Sequence, residues 1–500
     1  MSRPFKNVKI EKVAIANRGE VAVRIIRACQ ELGLETVLLH SEADSQTPAA
    51  RLADECVCIG PADLALSYLN ISANIDSALS RGADAIHPGF GFLSENADFA
   101  AACGDRGLVF VGPTAEAIRL FGDKISAKRL VQAAGGPVIP GYDGDDQVIE
   151  NLIEQAKKIG FPVMVKATAG GGGRGLKVIR QLEEARELIE SAQREGLAAF
   201  GSKKVFLEKY LDRAKHIEVQ IFGDASGKVH ALGERECSIQ RRHQKIIEES
   251  PSAQLSPVLR QQMVEAAQAI GTQAHYRNAG TVEFLLQDGK FYFMEMNTRL
   301  QVEHPVTEMT MGVDLVKAQL LTAMGKALNW THLAQGAVRE AQGHAIECRI
   351  YAENPFLGGI PSTGLVGGCV WPQGPGRRFE VGVEAGDTVT PFYDSMIAKV
   401  IVWDETRTRA IQKMQRTLRD TIIFGVHTNI PLLQEILRHP QFIMGDMTTR
   451  FFDEHFSQSM QAEVLSRSET AMVEKIKKLV GSETGETTVA NPWTHAWSGR

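Results

Sequence analysis

Cysteine pairs, long apolar runs and excess positive charge are all missing from this chain of 500 residues, and each absence excludes a class of protein. The seven cysteines are scattered and form no Cys-x-x-Cys motif, which argues against a disulfide framework and a zinc site. Cys56 and Cys58 lie in a strand-like run, where buried, reduced thiols are expected. The segment Met1–Glu20 has no apolar run long enough for a signal peptide or membrane span, so we expect a cytoplasmic protein. A net charge of −5 gives no general attraction to nucleic acid or to an anionic membrane.

The length of the chain predicts two or three domains, because 500 residues exceed what one hydrophobic core usually organises. The first hundred or so residues alternate short apolar runs with amphipathic ones, which is typical of a parallel, doubly wound sheet. No glycine fingerprint follows the first apolar run, where Asn17-Arg18-Gly19-Glu20 stands instead. A dinucleotide site is therefore not expected there.

A glycine run lies within residues 163–179, which read VMVKATAGGGGRGLKVI. Strand-like segments precede and follow it, so it lacks the helix that holds a pyrophosphate in dinucleotide folds. It also departs from the phosphate-loop pattern, because Leu176 and not lysine follows Gly175. The pattern predicts a flap whose backbone amides close over a polyphosphate. Lys166 before the flap and Lys124 at a helix start are candidate phosphate cations, with solvated surface lysines as the alternative.

Polar side chains recur at every second position near the middle of the chain, at Glu295, Asn297, Arg299, Gln301 and Glu303. If this segment is one extended strand, all five project to the same face. We interpret that face as a reaction surface. The alternative is the exposed face of an edge strand with alternating charge.

A second acid, Glu283, lies on the preceding apolar run, and Asp288 and Gly289 are turn residues that predict a hairpin. A loop of three residues places Glu283 opposite Glu295, whereas a loop of two places them on opposite faces. Two neighbouring acids repel each other unless a cation lies between them. Oxygen ligands from Glu283, Glu295 and Asn297 favour magnesium bound with a nucleotide.

Several longer strings resemble the biotin carboxylases, a branch of the ATP-grasp enzymes. They include ANRGE, HPGFGFLSEN, GGGGRG, HIEVQ, ERECSIQRRHQKIIEESP, EMNTRLQVEHPVTE, ECRIYAENP and YDSMIAK. The resemblance runs in order from Asn17 to Lys399. Two positions depart from the family pattern, because Phe90 stands where tyrosine is common and the segment ENPFLGGIPSTG is rearranged.

The resemblance implies an α/β fold, α+β overall, of the ATP-grasp type. Its implied parts are an N-terminal domain with a doubly wound parallel sheet (1–120), a helical linker (121–137), a mobile lid with the glycine flap (138–211) and a C-terminal catalytic domain (212–456). Residues 457–500 are a polar tail. For its Trp493 and Trp497, docking against a partner and a disordered end are the two alternatives.

The resemblance also implies a role for each matching position. The residues implied to bind the phosphates of ATP are Lys124, Lys166, Gly172 and Gly173. Those implied to contact the adenine are Glu208, Lys209, Tyr210 and Leu211, and those implied to line the rest of the nucleotide site are His216, Gln240 and His243. The implied ligands of magnesium or manganese are Glu283, Glu295 and Asn297. The residues implied to bind bicarbonate are Lys245, Arg299, Gln301, Val302 and Glu303, and those implied to bind biotin are Arg349 and Asp394.

The activity implied is ATP-dependent carboxylation of biotin through carboxyphosphate, with Glu303 as base, Lys245 and Arg299 as anion holders, and Arg349 stabilising the biotin enolate. No Ala-Met-Lys-Met-like tetrapeptide occurs, so biotin is expected on a separate carrier protein, with a carboxyltransferase as a further partner. Such a chain performs the first half-reaction of an acyl-CoA carboxylase, and the family precedent is a homodimer. The alternatives are a carbamoyl phosphate synthetase-like ligase, which should lack QRRHQK and the Arg349 segment, and a non-catalytic ATP-binding subunit.

Overall fold

A parallel sheet occupies the N-terminal part of the computed structural model, which describes residues 8–167, 176–200, 202–242, 244–328, 330 and 341–456. Its strands, among the described residues, are β1 (Lys12–Ile15), β2 (Glu35–Ser41), β3 (Glu55–Gly60), β4 (Ala85–His87) and β5 (Val109–Phe110), in the order β3-β2-β1-β4-β5. The connecting helices are α1 (Gly19–Glu31), α2 (Pro48–Leu52), α3 (Ile71–Ser80), α4 (Ala97–Asp105) and α5 (Ala115–Gly122). The predicted alternation of strand and helix is confirmed. The expected burial of Cys58 is wrong, because β3 is an edge strand and Cys58 is exposed on it.

A smaller antiparallel sheet follows α6 (Lys124–Ala133). It consists of β6 (Gly141–Tyr142), β7 (Val163–Ala167), β8 (Leu176–Ile179) and β9 (Val205–Lys209), in the order β6-β9-β7-β8. Helices α7 (Ile149–Ile159) and α8 (Ala185–Phe200) share an apolar core with it. The glycine run joins β7 to β8, the strand-to-strand connection that the sequence predicts. Gly172 and Gly173 lie outside the described residues.

The remaining described chain centres on a large antiparallel sheet. The strands of this part are β10 (Lys215–Gly223), β11 (Val229–Arg241), β12 (Gln244–Ser250), β13 (Asn278–Gln287), β14 (Lys290–Asn297), β15 (His344–Tyr351), β16 (Glu353–Asn354), β17 (Ile360–Pro361), β18 (Gly364–Leu365), β19 (Gly368–Val370), β20 (Arg377–Val381), β21 (Thr388–Val389), β22 (Met396–Asp404) and β23 (Ile422–Phe424). The order of strands in the large sheet is β14-β13-β10-β11-β12-β15-β22-β20. The helices are α9 (Pro257–Gln273), α10 (His304–Met311), α11 (Leu315–Ala323), α12 (Arg407–Asp420), α13 (Ile430–Arg438), α14 (Pro440–Met444) and α15 (Phe451–His455). None of the helices in the described ranges combines the length and apolarity that crossing a membrane requires.

Two hydrophobic cores cover this large sheet. At one end, α6 and α9 pack against β10, β13 and β14, with Phe284 and Phe293 fully covered. At the other end, α12 and α13 pack against β15 and β22. Between them, a row of buried polar side chains from β10, β11, β12 and β15 faces a cleft. The apolar cores therefore hold a charged surface in place.

A buried ion cluster joins the parallel sheet's α1 to the large sheet. Glu308 on α10 accepts from Arg24 Nη2 at 3.2 Å and from Arg378 Nη1 at 2.7 Å. Burial by itself would raise the pKa of Glu308. Arg24 and Arg378 lower it by a larger amount, so the pKa lies below its ordinary value. A carboxyl group whose folded pKa is depressed stabilises the fold above its unfolded pKa, and that contribution is lost as the pH falls.

Replacing Glu308 by glutamine is expected to lower the free energy of unfolding by about 1–3 kcal/mol at neutral pH, because Arg24 and Arg378 each lose one carboxylate while Arg24 keeps Asp314 and Arg378 keeps Glu380. The difference from the unmodified chain should shrink below about pH 4, where the unfolded carboxyl is protonated. Urea unfolding at neutral pH and at about pH 2–3 measures both quantities. A loss of stability that is the same at the two pH values would contradict this account.

Candidate active site

The two acids of the hairpin do lie opposite each other, but not by the predicted route. The loop has two residues, Asp288 and Gly289, both at positive φ (52° and 71°), and Gln287 pairs with Lys290. A β-bulge then shifts the register between Glu283 and Phe284, so that Phe284 pairs with Phe293 and Glu283 with Glu295. The predicted loop of three residues is wrong. The bulge supplies the extra residue on β14, and the facing of Glu283 and Glu295 is confirmed.

The extended segment also ends earlier than predicted. Strand β14 stops at Asn297, so Arg299, Gln301 and Glu303 do not lie on a strand, and Glu303 directly precedes α10. Pro305 near the start of α10 favours this turn into a helix. The side chains still converge, because Arg299 donates to Asn297 Oδ1 at 2.9 Å and to Gln301 Oε1 at 2.8 Å.

Glu283 is the hub of this cluster. Its Oε1 accepts from Lys245 Nζ at 2.8 Å, Asn297 Nδ2 at 2.8 Å and Gln301 Nε2 at 3.0 Å. Its Oε2 lies 2.9 Å from His216 Nε2. Burial raises the pKa of Glu283, but Lys245 and His216 outweigh it and hold the pKa well below its ordinary value. Glu283 is therefore ionised at neutral pH.

Glu295 is the opposite case. Among the described residues its carboxylate has no ion pair or hydrogen bond, although it faces the charged Glu283. Its position in the cleft and the charge of Glu283 raise the pKa of Glu295. An unpaired carboxylate beside an ionised one, with the amide oxygen of Asn297 close by, is a donor set of hard oxygens that fits magnesium or manganese. The residues predicted as metal ligands thus fit that ion.

Lys245, Glu303 and Arg349 form a continuous charged chain beside the hub. Lys245 Nζ lies 2.7 Å from Glu303 Oε1 and 2.5 Å from Glu218 Oε2. Arg349 Nη2 donates to Glu303 Oε2 at 2.9 Å. Glu303 is fully buried, which raises its pKa, but Lys245, Arg349 and Arg235 bring the pKa well below its ordinary value. Glu303 is held as a carboxylate that can accept a proton.

One cavity of about 1450 Å³ brings together the predicted site residues that the structure describes, apart from the covered Glu303. These are Lys124, Lys166, Glu208, Lys209, Tyr210, Leu211, His216, Gln240, Lys245, Glu283, Glu295, Asn297, Arg299, Gln301, Val302, Arg349 and Asp394. Gly172, Gly173 and His243 lie outside the described residues. At the lid end, Glu208 is ion-paired with both Lys166 and Lys128. At the hub end, Gln240 Nε2 contacts His216 Nδ1 at 2.8 Å.

Three family models match this chain. They are "Biotin carboxylase, N-terminal domain" over residues 9–118, "Carbamoyl-phosphate synthase L chain, ATP binding domain" over 123–331, and "Biotin carboxylase C-terminal domain" over 347–454. Among curated proteins, a biotin carboxylase of Nostoc sp. is 50% identical over 89% of this chain and 99% of its own length. The chain belongs to the biotin carboxylase family. It is accordingly an ATP-dependent ligase.

Other relatives set the biotin carboxylase unit in larger proteins. The mitochondrial methylcrotonoyl-CoA carboxylase subunit alpha of Glycine max is 49% identical over 89% of this chain, which spans 61% of that subunit. Among solved structures, a Campylobacter jejuni biotin carboxylase in complex with β-γ-ATP has 42% identity and a TM-score of 0.83, covering 89% of this chain and 99% of its own.

A second solved structure names the small molecules of the family. It is the biotin carboxylase domain dimer of a Hydrogenobacter thermophilus 2-oxoglutarate carboxylase, described with MgADP, ADP and bicarbonate. It has 45% identity and a TM-score of 0.81, and covers 89% of this chain and 98% of its own. The predicted ATP-grasp fold is confirmed, and the predicted use of ATP and magnesium is confirmed for the family.

Sequence reasoning missed several residues that this biotin carboxylase site contains. Glu218 contacts Lys245, and Glu248 accepts from Arg349 Nε at 2.6 Å. Glu95 binds Arg299 Nε at 2.8 Å, from 204 positions away. The string HIEVQ did carry a signal for Glu218, because it alternates polar residues along one buried strand. For Glu95 the string HPGFGFLSEN marks the position but does not indicate its contact with Arg299.

Proposed function

We propose that this chain carboxylates biotin carried on a separate carrier protein, using ATP and bicarbonate by way of carboxyphosphate, as the first half-reaction of an acyl-CoA carboxylase. The observation that carries the proposal is the position of Glu303, a buried carboxylate in contact with both Lys245 and Arg349. Lys245 contacts Glu283, which pairs with Glu295. Arg349 lies on β15, which β10, β11 and β12 separate from the strands of these two acids. One base therefore borders both a nucleotide–metal region and a second substrate region.

The residues divide the chemistry as follows. Lys245 and Arg299 hold bicarbonate, the guanidinium offering a forked grip to a planar anion, with Gln301 and Val302 beside it. Glu303 takes the proton of bicarbonate as a bicarbonate oxygen attacks the γ-phosphate of ATP and ADP leaves. Lys124 and Lys166 hold the phosphates, and Lys166 exchanges its contact with Glu208 for them. Glu283, Glu295 and Asn297 would hold magnesium, which would supply positive charge beside the phosphates.

Arg349 serves the second half of the reaction. Carboxyphosphate divides into carbon dioxide and phosphate, the phosphate removes the proton of the ureido nitrogen, and Arg349 stabilises the negative oxygen of the biotin enolate. Asp394 lines the same cavity, and we assign it to biotin as well. Residues 208–211, with His216, Gln240 and His243, enclose the nucleoside, and Gly172 and Gly173 of the flap cover the phosphates.

The proposal extends to organisation and partners. The chain divides into the domains 1–120, 138–211 and 212–456, with 121–137 as linker and 457–500 as a docking tail. The partners are a biotin carboxyl carrier protein and a carboxyltransferase, in the cytoplasm. A homodimer is proposed because the Hydrogenobacter neighbour is described as a dimer.

ATP hydrolysis with and without substrates tests the proposal. ADP release by the purified chain with magnesium is expected to require both bicarbonate and free biotin, and carboxybiotin should accumulate in step with ADP. The match of residues 123–331 to a carbamoyl-phosphate synthase domain gives the rival function. Bicarbonate-dependent turnover that ignores biotin would favour that rival. Nucleotide binding without turnover under any condition would favour a non-catalytic subunit.

A further inference from the structure

Two buried glutamates face each other on neighbouring strands beside Arg349. Glu248 on β12 and Glu347 on β15 are direct partners in the antiparallel register, which places their Cβ atoms about 4.5–5.5 Å apart. Both side chains have no exposed surface. Within the described chain, Glu248 Oε2 and both carboxylate oxygens of Glu347 have no hydrogen-bond donor. Two ionised carboxylates placed in this way would lack both water and donors, which is costly.

The cations on this face of the sheet are too few for the acids. Lys399 Nζ donates to Val302 O at 2.7 Å and lies 3.3 Å from Glu20 Oε1. Arg349 is shared by Glu248 and Glu303. The nearby acids are Glu20, Glu248, Glu303 and Glu347. Apart from Lys245, which contacts Glu303, four acids thus face two cations.

Other charged groups around the pair do not correct this imbalance. Lys245 contacts Glu303 but also serves Glu218 and Glu283. Helix α10 carries two further titratable residues. Burial lowers the pKa of His304, so His304 is neutral, and Glu308 is ion-paired with Arg24 and Arg378. From α12, on the opposite face of the sheet, Arg407 binds Glu249.

The titration behaviour agrees with the geometry. Burial, which Lys399 only partly offsets, and the charge of Glu248 raise the pKa of Glu347 well above its ordinary value. Burial raises the pKa of Glu248 to about 7 even though Arg349 opposes it. Glu303, between two cations, keeps a low pKa. Burial also raises the pKa of Glu20 to about 7, although Lys399 opposes it. Of the two acids that contact Arg349, Glu248 and not the base Glu303 therefore belongs to the group that holds an extra proton.

We propose that Glu248 and Glu347 hold one proton between them in the working enzyme and are positioning residues that preserve the positive charge of Arg349. Arg349 already contacts two carboxylates, and a further negative charge close by in a dry interior would weaken its attraction for a negatively charged oxygen. The role at the biotin oxygen rests on the proposed function. The shared proton is a property of the protein alone.

Infrared spectroscopy of the full chain tests the proton directly. Spectra recorded from about pH 6 to about pH 10 distinguish the C=O stretch of a protonated acid from a carboxylate. The variant Glu347→Gln is expected to lose one protonated-acid band that the unmodified chain shows at neutral pH. A matched control is Glu249→Gln, because Glu249 is equally buried but is ion-paired with His344 and Arg407, and its pKa is lowered. An acid band that persists unchanged in Glu347→Gln would overturn the proposal.

A second variant covers the case in which Glu347→Gln does not fold. In Glu248→Gln the neighbouring charge is gone, so the acid band should ionise at a pH lower by about one unit or more. A titration identical to that of the unmodified chain would show that the two acids do not share a proton.

The functional role has its own readout. If the pair protects Arg349, the alkaline limb of kcat/KM for biotin should move to higher pH in Glu347→Gln, while the rate at neutral pH stays within about threefold. A uniform loss of rate at every pH would indicate a structural role and overturn the positioning one. If the unmodified chain does not carboxylate biotin, the proposed function fails, and the infrared result still decides whether the proton is there.

Discussion

Replacing Glu303 by glutamine is expected to lower the rate of biotin carboxylation by about 10²–10⁴-fold, the usual contribution of a positioned general base. Glutamine keeps the size of the side chain and one acceptor oxygen for Lys245 or Arg349, but it cannot take the proton of bicarbonate. Incorporation of labelled bicarbonate into free biotin measures the rate. Binding of ATP with magnesium should change little, since the contacts of Glu303 are with Lys245 and Arg349 and not with the residues assigned to the metal or the phosphates.

Stability must be separated from chemistry in this experiment. Removing the charge of Glu303 takes one carboxylate from Lys245, which keeps Glu218 and Glu283, and one from Arg349, which keeps Glu248; this costs about 1–3 kcal/mol. Glu308→Gln is a matched control, because Glu308 lies five residues further along, is also buried between two cations, and does not line the cavity. Both variants should lose stability, but only Glu303→Gln should lose its rate. A Glu303→Gln enzyme with nearly full activity would exclude Glu303 as the base.

The hairpin shows how far the sequence could predict the site. The pairing of Glu283 with Glu295 was predicted correctly from a wrong loop, because two deviations cancelled. Asp288-Gly289 is a preferred two-residue turn, so the shorter loop could have been read from the sequence. The bulge beside Glu283 could not, because a bulge depends on how β14 packs against its neighbours.

The end of β14 was also within reach of sequence reasoning. The alternation of polar residues continues to Glu303, but the proline at Pro305 marks the first turn of a helix. The alternation of polar residues therefore continues six positions beyond the end of β14 at Asn297. The five side chains meet because the turn folds Arg299 and Gln301 back towards Asn297, and not because they share one face of a strand.

The buried charge network could not be predicted in this way. Glu248 meets Arg349 across 101 positions of chain, and Arg299 meets Glu95 across 204. Both acids stand in strings that carry the family resemblance, Glu248 in ERECSIQRRHQKIIEESP and Glu95 in HPGFGFLSEN, but neither string shows which cation its acid meets. Only the order of strands, with β12 beside β15, brings Glu248 to Arg349.

The two facing acids at the metal position are expected to respond differently to the same substitution. Glu295 has no protein partner among the described residues, so Glu295→Gln should leave the stability of the chain nearly unchanged. It should raise the magnesium concentration needed for half-maximal ATP turnover by about 10–100-fold or more, because even indirect losses at metal sites reach that size.

Glu283→Gln should impair the magnesium response as strongly and also destabilise the fold by about 1–3 kcal/mol, since His216 loses the nearer of its two carboxylates and Lys245 loses one of three. Magnesium titration of ATP turnover, combined with thermal unfolding of each variant, separates the two effects. Equal losses of stability in the two variants would mean that Glu295 has a protein partner in solution. An unchanged magnesium requirement in Glu295→Gln would remove that residue from the metal site.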